Sequence, residues 1–493
     1  MSQSFLLGAI VAAVAWGALA FGAVYPWAYV PLGIFCALVG IAGLVSGGAR
    51  RPPLVRLALA LTAIGVAVSL QLVPLPRTLL ARVSPGTDAF LRQYDLSYSR
   101  PTEFSDHAPD EVPEAAYVPP RPISIRPDKT ALGLTLFVAL ALFLLGAARV
   151  VSMVGARTLA LAVMALGILL TVLAVVQIAL NPDPRQLTLI YGFWKPQGIS
   201  SPFGPFVNPN HYAGWMLMAL PLVLGLACGT LEQALHAGAP NGRGFLTVVS
   251  QGGELALSLF AALIMGVSLM MTKSRSGIAC FVVALVLTGA MVLRRQQRAN
   301  AKGLVVAALT VLFLGVVTWA GVDNVLTKFR EPDRGLVSAT GRLSAWKDAV
   351  SIVRDSPLTG MGFDTYGTAM VLYQSSPRDS HFQETHNDYL QLAAEGGALV
   401  CVPVFIALLL FVSDVRHRFR EAPREGMTYW LRVGAVIGLI AIALQSLVEF
   451  SLQMPGNAAL FVVLSAIALH RSPHLMARPA RTARSLALVP SVD

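Results

Sequence analysis

Runs of about twenty apolar residues recur along the whole chain, and no other feature limits its fold so tightly. A run of that length is what an α-helix needs to cross a bilayer. Windows of about 19 residues mark twelve of them, near 4–23, 27–46, 54–73, 130–148, 157–180, 212–229, 254–272, 277–293, 303–321, 396–413, 431–450 and 456–470. The expected fold is therefore an all-α polytopic membrane protein of about twelve transmembrane helices. Its 493 residues are 55% hydrophobic and only 13% charged, which supplies that many spans. The first run is preceded only by "MSQS", with no positive segment, and more spans follow, so it reads as a retained helix and not a cleaved signal. Cys36, Cys228, Cys280 and Cys401 all fall in expected spans, far apart, with no CxxC or metal-ligand spacing.

The net charge of +11 would suit nucleic acid, but its placement argues against that partner. The excess sits in alternate short connections: Arg50, Arg51 and Arg56; Arg149 and Arg157; Arg294, Arg295, Arg298 and Lys302; Arg416, Arg418, Arg420 and Arg424; and Arg471, Arg478, Arg481 and Arg484 in the tail. The positive-inside rule then puts these connections and both termini in the cytoplasm. The two long connections, 74–129 and 322–395, each hold seven Lys/Arg against at least as many acids, and face outward. Residues 74–127 carry ten of the 31 prolines, as in "LVPLPRTLL" and "YVPPRPISIRP", and are expected to be extended or irregular, a surface ornament more than a packed domain.

The second long connection has more internal design. Leu343, Trp346, Val350 and Val353 recur at helical spacing, Thr340 is placed to cap the start, and Ser356-Pro357 to stop the helix. Arg342 then falls in the first turn, where the macrodipole disfavours a cation, unless it meets an anion brought in from outside. The plain alternative is a solvated arginine reaching past the helix end. In the tight outer turn "MMTKSRSGIA", Lys273 and Arg275 stand at a membrane edge where the charge bias predicts few cations. Interfacial snorkelling, with Ser274 and Ser276 capping the next span, is the alternative there.

His386 opens the last segment of this connection, "ETHNDYLQLAAEGG". A helix starting near Thr385 would set Asp388, Gln391 and Glu395 on one face. Two arginines suit a diphosphate, because the guanidinium fork binds it in bidentate fashion, and a histidine suits proton removal near neutral pH. Together they fit displacement of a diphosphate leaving group by a hydroxyl. No DxD pair or HExxH spacing marks a metal site, so neither metal nor cofactor is expected. Glu395 and Glu449, just inside apolar segments, read as structural carboxylates.

Four ordered pieces, "SPFGPFVNPNHYAGWM" at 201–216, "TKSRSGIA" at 272–279, "GRLSAWKDAVSIVRDSPLTGMGFDTYG" at 341–367 and "THNDYLQLAAEGG" at 385–397, resemble the O-antigen ligase and polymerase superfamily of bacterial envelope proteins. The resemblance covers roughly residues 200–470. It implies a GT-C-like, metal-independent and inverting glycosyltransferase of the inner membrane with a large helical periplasmic loop. Its donor would be a glycan on undecaprenyl diphosphate, and its acceptor a hydroxyl on another lipid-linked glycan, the lipid A core or a protein. Residue by residue, the family's span-start arginine matches Arg275, its loop arginine Arg342 and its loop histidine His386, the implied catalytic set. Lys273, Asn208, Asn210, His211, Trp346, Asn387 and Asp388 are the expected substrate-binding residues, with helix capping as the alternative for the Asn208–His211 group. Other polysaccharide assembly proteins are further expected partners.

The expected organisation is three spans in 1–73, a proline-rich periplasmic loop at 74–129, six spans in 130–321, the catalytic periplasmic loop at 322–395, three spans in 396–470 and a basic cytoplasmic tail at 471–493. Two other classes fit such a chain: a transporter or flippase for a lipid-linked or anionic precursor, and a non-catalytic scaffold of a polysaccharide machine. A transporter would show internal repeats and a midplane site, and no clear repeat relates the halves. The proline-rich loop and "NPNHYAGW" favour a member that handles exopolysaccharide.

Overall fold

The computed structural model describes residues 2–46, 54–99, 119–180, 189–196, 201–237, 244–295, 332–375, 381–421 and 426–471, with backbone alone at 235–237, 244–251, 295 and 332–340. The expected span at 303–321, the tail beyond Arg471, and Arg50, Arg51, Arg298, Lys302 and Arg424 lie outside what is described. The described chain is nearly all helix: α1 (Gln3–Leu19), α2 (Pro26–Val45), α3 (Val55–Leu70), α4 (Arg77–Val83), α5 (Pro85–Tyr94), α6 (Leu96–Ser99), α7 (Pro127–Val154), α8 (Arg157–Leu180), α9 (Pro209–Ala237), α10 (Gly244–Met271), α11 (Arg275–Arg295), α12 (Pro332–Asp355), α13 (Tyr366–Tyr373), α14 (Asp388–Glu421), α15 (Met427–Gln445) and α16 (Pro455–Leu469). Among the described residues, eight helices are long and apolar enough to cross a membrane, and α1, α3 and α16 are shorter apolar helices. This is an all-α polytopic membrane protein.

Helix α9 is the hub. From Tyr212 to Val223 its side chains are essentially without exposure, and α15, α10, α8 and α11 surround it. Close approach to α15 depends on Gly225, where an added Cβ would lie 2.5 Å from the carbonyl oxygen of Trp430. A small polar knot ties the packing: the Tyr212 hydroxyl donates to Ser268 (2.9 Å), next to Thr171. At the end of the bundle away from the long connections, buried Arg432 donates to the carbonyls of Ala468 (3.1 Å) and His470 (2.7 Å), and Arg418 donates to that of Leu469 (3.1 Å). Two guanidiniums thus satisfy the otherwise orphan carbonyls at the C-terminus of α16.

The proline-rich connection is not an irregular ornament. Its described parts form α4, α5, α6 and a two-stranded ribbon, β1 (Pro74–Leu75) paired antiparallel with β2 (Arg121–Pro122). Pro85 and Pro127 stand at the first turns of α5 and α7, where a missing N–H costs nothing. The buried hydroxyl of Ser84 donates to the Gly360 carbonyl (2.9 Å), and the Gly86 N–H donates to Ser356 Oγ (3.1 Å). The two long connections therefore pack into one polar subdomain over one end of the bundle.

Helix α12 also departs from expectation. It begins at Pro332, so Thr340 is interior and Arg342 lies about three turns in. Its buried stripe is Ala345, Asp348, Ala349 and Ile352, while Leu343 is 59% and Val350 37% exposed. Alanines let α12 sit close against α13 and α14, while Leu343 and Val350 of the apolar pattern face outward. Helix α14 starts at Asp388, eight residues before the expected span, and bends at Gly397 (φ 54°, ψ −162°). That bend accepts the 357–362 loop: Ala398 and Leu399 donate to Pro357 and Leu358 (2.9 and 2.8 Å), and a Cβ at Gly397 would lie 2.5 Å from the Gly360 nitrogen. Gln71, at the end of α3 and fully buried, closes the joint by donating to the Thr359 and Glu395 carbonyls (2.7 and 2.8 Å) and accepting from Phe363 N–H (3.0 Å).

Candidate active site

His386 stands in a three-residue hook between two anchors. Before it, the Thr385 carbonyl accepts from the Trp346 indole (3.0 Å), which ties the hook to α12. After it, Asn387 caps α14 by accepting from Leu390 N–H (3.0 Å), and Asp388 N–H donates to the Ser446 carbonyl (3.0 Å) at the end of α15. Between these anchors His386 is held at φ 54°, a left-handed conformation that a non-glycine residue rarely adopts. The helix therefore starts at Asp388 and not at Thr385, and the imidazole is turned towards the α15–α16 connection.

Glu449 waits there. Its carboxylate, with 2% of the side chain exposed, accepts from Arg342 Nη2 (2.6 Å) and Asn210 Nδ2 (2.8 Å) on one oxygen, and faces His386 Nδ1 at 3.5 Å with the other. Four elements meet at this carboxylate: α12 brings Arg342, the first turn of α9 brings Asn210, the hook brings His386, and the segment after α15 brings Glu449 itself. The anion expected for Arg342 is thus one of the protein's own side chains.

His211, beside Asn210, is 4% exposed, and neither ring nitrogen has a hydrogen-bond partner among the described residues. The Phe450 ring stands edge-on to both imidazoles, 4.9 Å from His211 and 4.8 Å from His386. Asn208 accepts from Asn210 N–H (2.8 Å), a capping contact at the start of α9.

Lys273 and Arg275 lie at the same end of the bundle, exposed, in the turn between α10 and α11. Ser274 caps α11 by accepting from Gly277 N–H (3.2 Å). A Cβ on Gly277 would lie 2.8 Å from that of Ala213, which places the turn against the first turn of α9. Lys273 is held at φ 55°, another left-handed non-glycine position.

Beside the hook is a cavity of about 400 Å³. One wall is apolar, with Leu32, Leu136 and Phe137 from α2 and α7, and its polar end holds Asp364, Glu384, Asp388, Glu395 and Gln453. Gln391 binds these groups together, donating to Glu384 (2.5 Å) and Glu395 (3.1 Å), and Gln453 donates to Asp388 (2.8 Å). Burial pushes the Glu384 carboxyl up to about 8, and the charges of Glu395, Asp364 and Asp388 act in the same direction.

The stretch from the last turns of α10 to the middle of α14 contains Lys273, Arg275, Arg342 and His386, and it has a known counterpart. Residues 260–405 match the O-antigen ligase family. The match supports the O-antigen ligase/polymerase superfamily for this chain. The likeness of this segment supports, in general terms, a glycosyltransferase role of the ligase or polymerase kind in a multi-pass membrane protein. No curated protein matches the chain. The matched segment holds Lys273, Arg275, Arg342 and His386, but not Glu449. That residue lies outside the matched segment, as do Asn210 and His211. A lone glutamate after a long apolar run, 63 residues beyond His386, has no local spacing that could have marked it.

Proposed function

We propose that this protein transfers a glycan from an undecaprenyl-diphosphate carrier to an acceptor hydroxyl at the periplasmic face of the bacterial inner membrane, with inversion and without a metal. The contact of Glu449 with Arg342, Asn210 and His386 carries this reading. A buried carboxylate on Nδ1 holds the imidazole with its proton on that side, so Nε2 keeps a lone pair for a substrate proton. The imidazolium formed on proton uptake is then stabilised by the same carboxylate, as in hydrolytic triads.

In the proposed step His386 Nε2 takes the proton of the acceptor hydroxyl as its oxygen attacks the anomeric carbon. The bond from that carbon to the diphosphate oxygen breaks, and its electron pair leaves on the diphosphate. Arg275, Lys273 and the donors of Arg342 not used by Glu449 offset the developing charge. Asn210, His211, Trp346, Asn387 and Asp388 have positioning or glycan-binding roles. The unpartnered imidazole of His211 suits a sugar hydroxyl, which both donates and accepts. Entry of the diphosphate at the α10–α11 turn, which carries Lys273 and Arg275, and of an uncharged acceptor glycan from the acidic cavity beside Asp388 fits this distribution of charge. On this reading both termini are cytoplasmic, and the acceptor is an exopolysaccharide or O-antigen chain.

The test is a deletion strain complemented with His386→Ala. Loss of the surface glycan, with lipid-linked units accumulating and the variant present in the membrane at normal level, is the expected result. Accumulated short units identify a polymerase, and finished polymer left on its carrier identifies a ligase. Normal surface glycan from the His386→Ala strain refutes the base assignment.

A further inference from the structure

The end of the bundle away from His386 carries a second cavity, of about 550 Å³, between the start of α3 and the last turns of α14. Arg56 of α3 and Arg416 and Arg420 of α14 line it, with Asp414, Leu409 and Val412. We propose that it binds the phosphodiester headgroup of an anionic phospholipid of the phosphatidylglycerol type, as a site separate from the glycan chemistry.

The charge arrangement points to a phosphate. Two further lining groups, His417 and Arg418, are drawn with Arg471 onto Glu421, at 3.0, 2.7 and 3.1 Å. Arg56, Arg416 and Arg420 form no ion pair with any described residue, and Asp414 is the single acid among the cavity's lining groups. Three exposed guanidiniums from two helices around one concavity leave an excess of positive charge. A guanidinium fork matches phosphate oxygens in a way a lysine does not.

Position along the helix points to a lipid and not a soluble phosphate. Beyond its bend at Gly397, α14 runs on to Glu421, about 36 Å at 1.5 Å per residue, against a hydrocarbon core of about 30 Å. A helix starting beside His386 therefore carries its last turns into the headgroup layer of the opposite leaflet. Directly before them Leu409 is 53% and Val412 42% exposed, an apolar strip where an acyl chain can lie below a headgroup held by the arginines. Basic pockets between spanning helices at this depth take anionic headgroups.

The experiment is native mass spectrometry of the full-length protein from mixed micelles with equal phosphatidylglycerol and phosphatidylcholine. The wild-type protein is expected to retain phosphatidylglycerol preferentially. Arg56→Gln, Arg416→Gln and Arg420→Gln should each weaken retention about fivefold, with the thermal transition of these exposed-site variants unchanged. Arg294→Gln, at the same end of the bundle but not lining the cavity, should leave retention as it was. Equal retention of the two lipids, an unaffected triple variant, or an equal loss in Arg294→Gln overturns the proposal. Displacement of the lipid by millimolar glycerol phosphate would mark a soluble-phosphate site and overturns it as well. If the triple variant does not fold, the single variants give the same comparison.

Discussion

Glu449 receives donors from Asn210 and Arg342 and faces His386, and that arrangement sets what each substitution should do. Glu449→Gln keeps the shape but replaces the anion that holds the imidazole tautomer and stabilises the imidazolium. On the proposed mechanism glycan transfer should fall on the order of 10²–10⁴-fold, as when the carboxylate of a hydrolytic triad is made an amide. In vitro transfer with purified lipid-linked donor measures it, and a variant within a factor of two of wild type removes Glu449 from the mechanism. Arg275→Lys should be nearly as damaging as Arg275→Ala, because fork geometry on a diphosphate matters more than charge alone. Equal activity of the lysine variant and wild type would reduce Arg275 to a general field. Of the side chains that meet at Glu449, His386, Arg342 and Asn210 lay in the motifs. Glu449 read as structural because a single carboxylate after an apolar run has no local pattern, and its partners come from three distant segments.

At the scale of elements, the bend of α14 at Gly397 and the loop it accepts hold the hook. Gln71 is the clamp on that joint, and all three of its amide contacts are to backbone groups of the second connection or the start of α14. Gln71→Ala takes the amide partner from the Thr359 carbonyl and the Phe363 N–H, while the Glu395 carbonyl keeps the Gly362 N–H, so a loss of about 1–3 kcal/mol is expected. The readout is the thermal transition in detergent, and no change would show that water replaces the amide freely. The helical pattern of Leu343, Trp346, Val350 and Val353 correctly marked a helix in the second connection, but not its buried face. Packing against α13 and α14 is close enough that alanines, not the largest apolar residues, occupy the contact. The prolines of the first connection signalled irregular chain, yet two of them open helices, because proline is favoured at a helix start as well as in a coil.

For the whole molecule, the cluster of Glu384, Asp364, Asp388 and Glu395 ties stability to pH. The Glu384 carboxyl, raised from 4.5 to about 8, keeps a proton in the folded protein that the unfolded chain has released. Stability from this group is therefore fully present below about pH 4.5 and is lost progressively as pH rises to about 8. The apparent melting temperature in detergent should fall between pH 5 and 8, and Glu384→Gln should flatten that slope. An unchanged slope in the variant would place the titration elsewhere. The all-helical, membrane-spanning class and the likeness to the O-antigen ligase family were legible in the sequence alone, because apolar runs of bilayer length and ordered motifs are local properties of the chain. Only the tertiary structure decided that the two long connections form one packed subdomain, that Arg342 pairs with an internal anion, and that Glu449 meets His386 and Asn210. Each of these depends on side chains tens to hundreds of residues apart converging where backbone and buried charge must be satisfied together, a condition that no local pattern encodes.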